Sequence, residues 1–429
     1  MHTIRLGLLG CGNVGAALVR QIDAQRDDIA ARTGVRLEVV AIAVRNLALE
    51  RDVPIAANVF THDVDAVVAH PDVDLVVEVI GGIEPARRLI LAALAAGKPV
   101  VTANKELLAN CGAELFAAAE TSGTDLLFEA SVAGGIPLMR PLRESLVGEP
   151  IRRVLGIVNG TTNFILTKMT QSNASFAEAL AEAQSLGFAE RDPTADVEGF
   201  DAAAKASIIA SIAFGAEVVA GDVYREGIAT LQPSDIASAR DLGHTIKLLA
   251  IAEDVDGELA VRVHPTLVPL SHPLANVNDS FNAVFVEGDR VGSLMFYGRG
   301  AGGDPTASAV LGDVIDAARN RAAGKHGNTV GTLSRRKVQP IDDVASQFLV
   351  RLTSVDEPGV LATIAAIFGK HGVSIRSMQQ HVTDGTIAEL VFITHAAKEA
   401  DFRATIHDLR ALPTVKGIGS VLRVLGADS

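Results

Sequence analysis

The strongest constraint on how this chain folds lies in its first 130 residues, where short apolar runs alternate with helical patterns. The first of those runs leads straight into Gly10-Cys11-Gly12-Asn13-Val14-Gly15. Residues 4–9 read as a strand, the glycines as a turn, and a helical pattern continues to about residue 31. Further strands are expected at 37–44, 74–80, 99–103 and 125–131, with helices at 85–96 and 106–121. Strands separated by helices predict an α/β chain that opens with a Rossmann-type, doubly wound parallel sheet. In that setting Gly10, Gly12 and Gly15 allow a tight turn and close backbone approach to a pyrophosphate, which would sit over Asn13 and Val14 at the positive end of the helix. A purely structural glycine turn has the same letters. The place of the motif after the first strand decides for a dinucleotide site.

The second strand of such a fold usually ends in a carboxylate that holds the ribose 2′-hydroxyl of NAD; here it ends in Arg45. A cation at that place suits the 2′-phosphate of NADP, with NAD use left open. Thr102-Ala103-Asn104-Lys105 follows another parallel strand, where doubly wound folds bind their ligands. Lys105 at a helix start opposes the helix dipole, which points to a use other than solvation. The run from Glu129 to Pro137 reads as a strand-to-helix turn with exposed carbonyls, and Gly298–Thr306 as a glycine loop that either closes over a cofactor or links domains.

The densest polar cluster runs from Gly187 through Glu190, Asp196 and Asp201 to Lys205. Asp201 and Lys205 stand four apart on one helical face, and Ile208, Ile209 and Ile212 share that side, so the face points into protein rather than into water. A surface ion pair is the bland alternative. A lysine inside such a face is suited to proton transfer. The two cysteines, Cys11 and Cys111, have no histidine beside them in sequence, which leaves a thiol mechanism unsupported and a disulfide framework excluded.

Apolar residues make up 48% of the chain and charged ones 21%, enough to exclude overall disorder, and the net charge of −13 argues against nucleic-acid binding. The longest apolar stretch, 206–221, contains Glu217 and many small residues, so it reads as a buried helix and not as a membrane span. With no leader pattern visible, a cytoplasmic enzyme is expected. Beyond residue 148 the texture becomes α+β, with strands at 151–159, 259–263 and 283–287, a turn or cap at 159–163, and helices at 176–186 and 201–220. A helix from Asp304 as cap, with Pro305 at its first position, runs to about 321. The tail reads strand 348–353, helix 360–371, strand 375–382, a hairpin turn at Asp384-Gly385, strand 387–394, helix 402–412 and strand 419–425, a βαββαβ order. The expected division is a nucleotide domain at 1–140 plus about 304–330, a substrate and dimerisation domain at 141–303, a linker at 331–346 and a tail domain at 347–429.

With these motifs in hand, the chain resembles the homoserine dehydrogenases over nearly its whole length. The resemblance rests on the segments 7–15 and 102–105, on Gly156-Ile157-Val158-Asn159-Gly160-Thr161-Thr162-Asn163, and above all on 187–205. The tail, with Asp356-Glu357-Pro358-Gly359-Val360-Leu361, looks like an ACT domain, a module that commonly binds amino acids. The single-function form, without a fused aspartate kinase, is the expectation. The resemblance implies reversible NAD(P)-dependent reduction of L-aspartate 4-semialdehyde to L-homoserine, in threonine, methionine and isoleucine biosynthesis. It also implies that Lys205 is the proton donor, with Lys105 sharing that work and Asp201 beside them. Glu190, Asp201, Gly160 and Thr161 would bind substrate, while Thr102, Lys105, Gly187 and Gly303 would line the cofactor. A monovalent cation, sodium in the family, would be held at Glu129, Val132, Gly134 and Ile136, largely by carbonyls. A homodimer or homotetramer, with threonine acting at the tail, completes the expectation.

Three other classes fit less well. A phosphoglycerate-type dehydrogenase also carries such a tail, but its nucleotide fold follows an N-terminal substrate segment and it uses a catalytic histidine. An aspartate semialdehyde dehydrogenase needs a nucleophilic cysteine with a histidine partner. An amino-acid sensor without activity would have no need of the Asp201 and Lys205 pair.

Overall fold

The computed structural model describes residues 1–382 and 387–426, so the expected turn at Asp384-Gly385 lies outside the described residues. Among the described residues the first sheet has six parallel strands: β1 (His2–Leu9), β2 (Val35–Ala43), β3 (Phe60–Thr61), β4 (Leu75–Glu78), β5 (Val100–Thr102) and β6 (Leu126–Leu127). Their order is β3-β2-β1-β4-β5-β6. Progression reverses between β1 and β4, so the ligand crevice opens beyond the carboxyl ends of those two strands, at Gly10 and Ile80. Leu6, Leu8, Leu9, Val76 and Val77 are fully buried because helices cover both faces of the sheet. One of those helices, Gly303–Ala322, arrives from far down the chain and packs beside Asn13–Ala24.

The second sheet begins with β7 (Ile151–Ile157), β8 (Tyr224–Arg225), β9 (His244–Val255), β10 (Glu258–Pro269), β11 (Phe281–Gly288) and β12 (Gly292–Arg299). The helices Gly160–Ser172 and Phe200–Phe214 pack on one of its faces. The tail contributes β13 (Ala345–Val355), β14 (Ile375–Val382), β15 (Ile387–Thr394), β16 (Ala397–Lys398) and β17 (Val415–Val424), with helices Val360–Lys370 and Glu399–Arg410 over a separate core in which Phe348 stacks on Phe402 at 3.9 Å. The two units share one sheet, in the order β12-β11-β7-β9-β10-β17-β13-β15-β14. They join where β10 and β17 pair in parallel, Thr266 opposite Arg423 and Leu267 opposite Val424. The buried Arg423 clamps that seam, donating to Glu226 on one side and Glu399 on the other.

Several elements differ from the sequence reading. The first helix breaks at Gln25, and the pattern beyond it forms a second helix, Arg26–Thr33. The run expected as a strand at 125–131 is a strand only at Leu126–Leu127, after which Glu129–Ser131 turns tightly. The helix expected to reach residue 220 ends at Phe214, where Gly215 takes a left-handed cap. Of the turn or cap expected at 159–163 the structure has the cap, Asn159, and the helix Gly160–Ser172 that follows it was not expected. The helix expected with Asp304 as cap begins two residues earlier, at Gly303, with Gly302 at the cap.

Candidate active site

The crevice beyond β1 and β4 is a cleft of about 640 Å³ lined by Gly10, Gly12, Arg45, Arg51, His62 and Ile80 among others. A Cβ on Gly10 would lie 2.8 Å from Val79 O and one on Gly15 2.5 Å from Gly10 O, so both glycines are required by the turn itself. Gly12 differs, because a Cβ there would meet nothing within 4 Å. It leaves open space in front of the amino end of the helix Asn13–Ala24, whose first N–H groups have no side-chain cap. Arg45 is exposed on the wall of this cleft. Sequence reasoning missed Arg51, which stands beside it and donates to the carbonyls of Cys11, Asn46 and Leu49. No fixed spacing relates Arg51 to the glycine turn, since a loop brings it back. Gly303 reaches the same place: a Cβ there would lie 3.3 Å from Asn13 O.

A second cleft of about 300 Å³ shares Gly81 with the first and contains Lys105, Lys205, Gly134 and Gly300. Lys105 begins the helix after β5, whose cap Asn104 accepts from Leu107 N and donates to Gly82 O. Lys205 lies in the second turn of the helix Phe200–Phe214. The fold brings both ammoniums onto one carboxylate. Asp201 Oδ1 accepts from Lys105, and Asp201 Oδ2 accepts from Lys205 at 2.8 Å and from Asn159 Nδ2 at 2.9 Å. Burial alone would raise the Asp201 carboxyl, but the Lys205 and Lys105 ammoniums outweigh it and hold the group well below the usual carboxylate range. Lys205 is 12% exposed and donates a second hydrogen bond to Val158 O at 2.7 Å, whereas Lys105 is 46% exposed. An ammonium has three N–H donors. Lys205 therefore has one left for whatever enters the cleft.

Asn159, placed by the sequence only in a turn or cap, has a second role that the sequence did not show. Its side chain caps Gly160–Ser172 and donates to both Asp196 and Asp201, so one amide ties the 160–172 helix to the acidic loop. Gly160 is confined by Ser280, whose carbonyl oxygen would lie 2.7 Å from a Cβ. Thr161 donates its hydroxyl to Phe188 O, which anchors the loop carrying Gly187 and Glu190; both are exposed and neither lines the lysine cleft. Thr102 is buried and donates to Glu78 at 2.6 Å, so its hydroxyl braces β4 against β5 beneath the clefts.

At the turn after β6, Ala133 and Gly134 are both left-handed. The Glu129 carboxylate accepts from the N–H groups of Leu138, Met139 and Arg140, so it is engaged within the turn itself. Among the described residues no group of three or more acidic, histidine or cysteine side chains is placed to hold a metal. Burial raises the thiols of Cys11 and Cys111, against any thiolate nucleophile. Among the described residues no helix is long and apolar enough to cross a membrane.

Comparison with known proteins matches residues 137–315 to the family model described as homoserine dehydrogenase, residues 10–129 to its NAD-binding domain, and residues 348–414 to the ACT domain. The homoserine dehydrogenase of Mycobacterium tuberculosis is 50% identical, over 99% of this chain and 98% of its own. Among solved structures, a homoserine dehydrogenase from Thiobacillus denitrificans superposes with a TM-score of 0.91 at 41% identity, covering 99% of this chain and 98% of its own. A hyperthermophilic archaeal homoserine dehydrogenase in complex with NADPH matches 73% of this chain and 97% of its own, with a TM-score of 0.61 at 29% identity.

Proposed function

The chain belongs to the homoserine dehydrogenase family, an NAD(P)-dependent oxidoreductase carrying a C-terminal ACT domain, and we propose from that premise how its own residues run the reaction. The activity interconverts L-homoserine and L-aspartate 4-semialdehyde. Lys205 is the general acid in the direction of reduction and the base in reverse. The observation that carries this reading is the junction of Lys105, Lys205 and Asn159 on the buried Asp201 carboxylate. Asp201 stays ionised and accepts from both lysines, while Val158 O and Asp201 fix two of the three N–H groups of Lys205. The third is aimed at the aldehyde oxygen and gives up its proton as that oxygen gains charge. NAD(P)H, when bound, supplies the hydride. Lys105, the more exposed of the two, orients the substrate and steadies the developing charge. Glu190 takes the substrate ammonium once the 187–191 loop folds inward, and Gly160 and Thr161 border that space. Gly187 would reach the cofactor only with that same loop movement, and Thr102 serves it from beneath, bracing β4 against β5.

The cofactor is NADP in preference to NAD. Arg45 and Arg51 on the cleft wall suit a 2′-phosphate, and the open space at Gly12 with the uncapped helix end suits a pyrophosphate. Arg45→Ala is expected to weaken NADPH about tenfold, the loss of roughly one charge-assisted hydrogen bond, and to change NADH less than twofold. Equal weakening of both in a fluorescence titration contradicts the assignment.

A monovalent cation, sodium in this reading, would be held by the carbonyls of Glu129, Val132, Gly134 and Ile136, because hard cations take oxygen ligands and the left-handed Ala133 and Gly134 bend the chain sharply there. Its contribution is to hold the turn between β6 and the substrate domain. The nucleotide domain comprises 1–140 with about 304–330, the substrate domain 141–303, and the tail 347–429. The enzyme works in the cytoplasm as a homodimer or homotetramer, and the tail takes threonine as a feedback effector. The overall reading is tested by following nicotinamide absorbance with L-homoserine against L-serine and L-threonine. Turnover confined to homoserine is expected; equal turnover of all three contradicts it.

A further inference from the structure

The two clefts meet at the turn Ile80-Gly81-Gly82 after β4: Ile80 and Gly81 line the nucleotide cleft, Gly81 and Gly82 the lysine cleft. Both glycines are left-handed, and a Cβ on Gly81 would meet nothing within 4 Å, so the turn presents bare backbone to open space. Two glycines in succession have wide conformational freedom, so one conformation persists only if something holds it. Glu78 does so. Fully buried at the end of β4, its Oε1 accepts from Ile80 N at 2.9 Å and Gly81 N at 3.1 Å, and its Oε2 from Thr102 Oγ1 at 2.6 Å. All three donors are uncharged. Burying a carboxylate among such groups is costly where an apolar side chain would complete the sheet, which points to a use. The bonds continue into a ring. Thr102 Oγ1 also accepts from Asn104 N at 3.0 Å, and Asn104 Nδ2 donates to Gly82 O at 2.7 Å. Asn104 caps the helix that begins with Lys105, so the ring ties the turn to the wall of the lysine cleft.

We propose that Glu78 is a positioning residue for hydride transfer: it fixes the turn 80–82 as the seat over which the nicotinamide end of the cofactor reaches from the nucleotide cleft toward Lys205. It acts through the turn and not by contact with either reactant. Reacting atoms must approach to about 3–3.5 Å, and a displacement of about 1 Å costs on the order of 10²-fold in rate. Gly81 is the residue the two clefts share, so a shift of its backbone moves that seat relative to Lys205. The carboxylate is chemically required for this. An amide of the same size has one acceptor oxygen and one NH₂ group. With the NH₂ toward Ile80 and Gly81, donors would oppose donors. With it toward Thr102, the hydroxyl would accept from both the amide and Asn104 N, and its own proton would lose its acceptor.

This inference rests on the assignment of the two clefts to nucleotide and substrate. The test uses the intact enzyme with Glu78→Gln, Thr102→Val and Thr102→Ser; the threonine variants probe the same ring should Glu78→Gln fail to fold. Each protein is titrated calorimetrically with NADPH and with adenosine 2′,5′-bisphosphate, a fragment that keeps the 2′-phosphate and lacks the nicotinamide. Reduction of aspartate semialdehyde is followed with NADPH and with NADPH deuterated at the transferred position. In Glu78→Gln a kcat about 10²-fold lower is expected, with semialdehyde KM and fragment binding changed by less than about twofold. NADPH is expected to bind more weakly than to wild type, and the deuterium isotope effect on kcat to grow. Thr102→Val, which breaks one bond of the ring, is expected to lower kcat about tenfold, and Thr102→Ser to restore it. A kcat for Glu78→Gln within about threefold of wild type, or threonine variants that behave alike, overturns the positioning role. Fragment binding lost in step with kcat also overturns it, because the damage is then to the fold at large. A wild type that neither binds the fragment nor reduces the semialdehyde overturns the cleft assignment and this inference with it. A wild type that does both, beside an unimpaired Glu78→Gln, overturns the role of Glu78 alone.

Discussion

Replacing Lys205 with alanine is expected to lower kcat for aspartate semialdehyde reduction by about 10²–10⁴-fold, the usual worth of a positioned general acid, while NADPH binds as before. Lys205 stands in the 300 Å³ cleft, away from the wall of Arg45 and Arg51, so its loss leaves the nucleotide contacts in place. Lys105 still donates to Asp201, so some activity survives through the remaining ammonium. A variant that kept more than about a tenth of wild-type kcat, a barrier change of only ~1.4 kcal/mol, would falsify the proton role.

Asp201→Ala is expected to be as damaging to rate and far worse for stability. The carboxylate is buried and accepts from two ammoniums and one amide, so its removal leaves Lys105 and Lys205 facing each other without a counter-charge and Asn159 Nδ2 short of one acceptor. Breaking a buried ion pair by removing one partner costs about 3–5 kcal/mol. The depressed carboxyl adds a pH signature. A folded-state pKa below the unfolded value of about 3.9 contributes stability that is present above that value and lost as pH falls through the folded one. Wild type should therefore lose stability relative to Asp201→Asn as pH is lowered below about 4, read as Tm against pH. Parallel Tm curves for the two proteins contradict the assignment of Asp201 as the anion that holds both lysines.

What could be read from the sequence followed from local rules. The glycine turn after β1 and the pair Asp201 and Lys205 four residues apart depend on strand-turn-helix order and helical spacing, and both stand in the structure. What could not be read depends on chain return. Lys105 meets Asp201 across 96 positions, and Asn159 reaches Asp196 and Asp201 across 37 and 42. The long hairpin of β9 and β10 was missed, or seen only as a fragment at 259–263, because both strands are buried on both faces and show no alternation. The helix Gly160–Ser172 opens with a glycine and two threonines, residues of low helix propensity, and packing rather than propensity makes it helical. Asn159 as its cap was the available signal. Met295 and Tyr297 of β12 are exposed on an edge strand, a surface that fits the expected association of subunits without identifying it.

The central claim is that the third N–H of Lys205 points at the oxygen of the substrate while Asp201 and Val158 hold the other two. A crystal structure of the ternary complex with NADP⁺ and L-homoserine tests it most directly. The account predicts Lys205 Nζ within about 3.2 Å of the homoserine hydroxyl, with its bonds to Asp201 and Val158 retained. A hydroxyl bonded instead to water or to Lys105 alone, with Lys205 turned away, contradicts it.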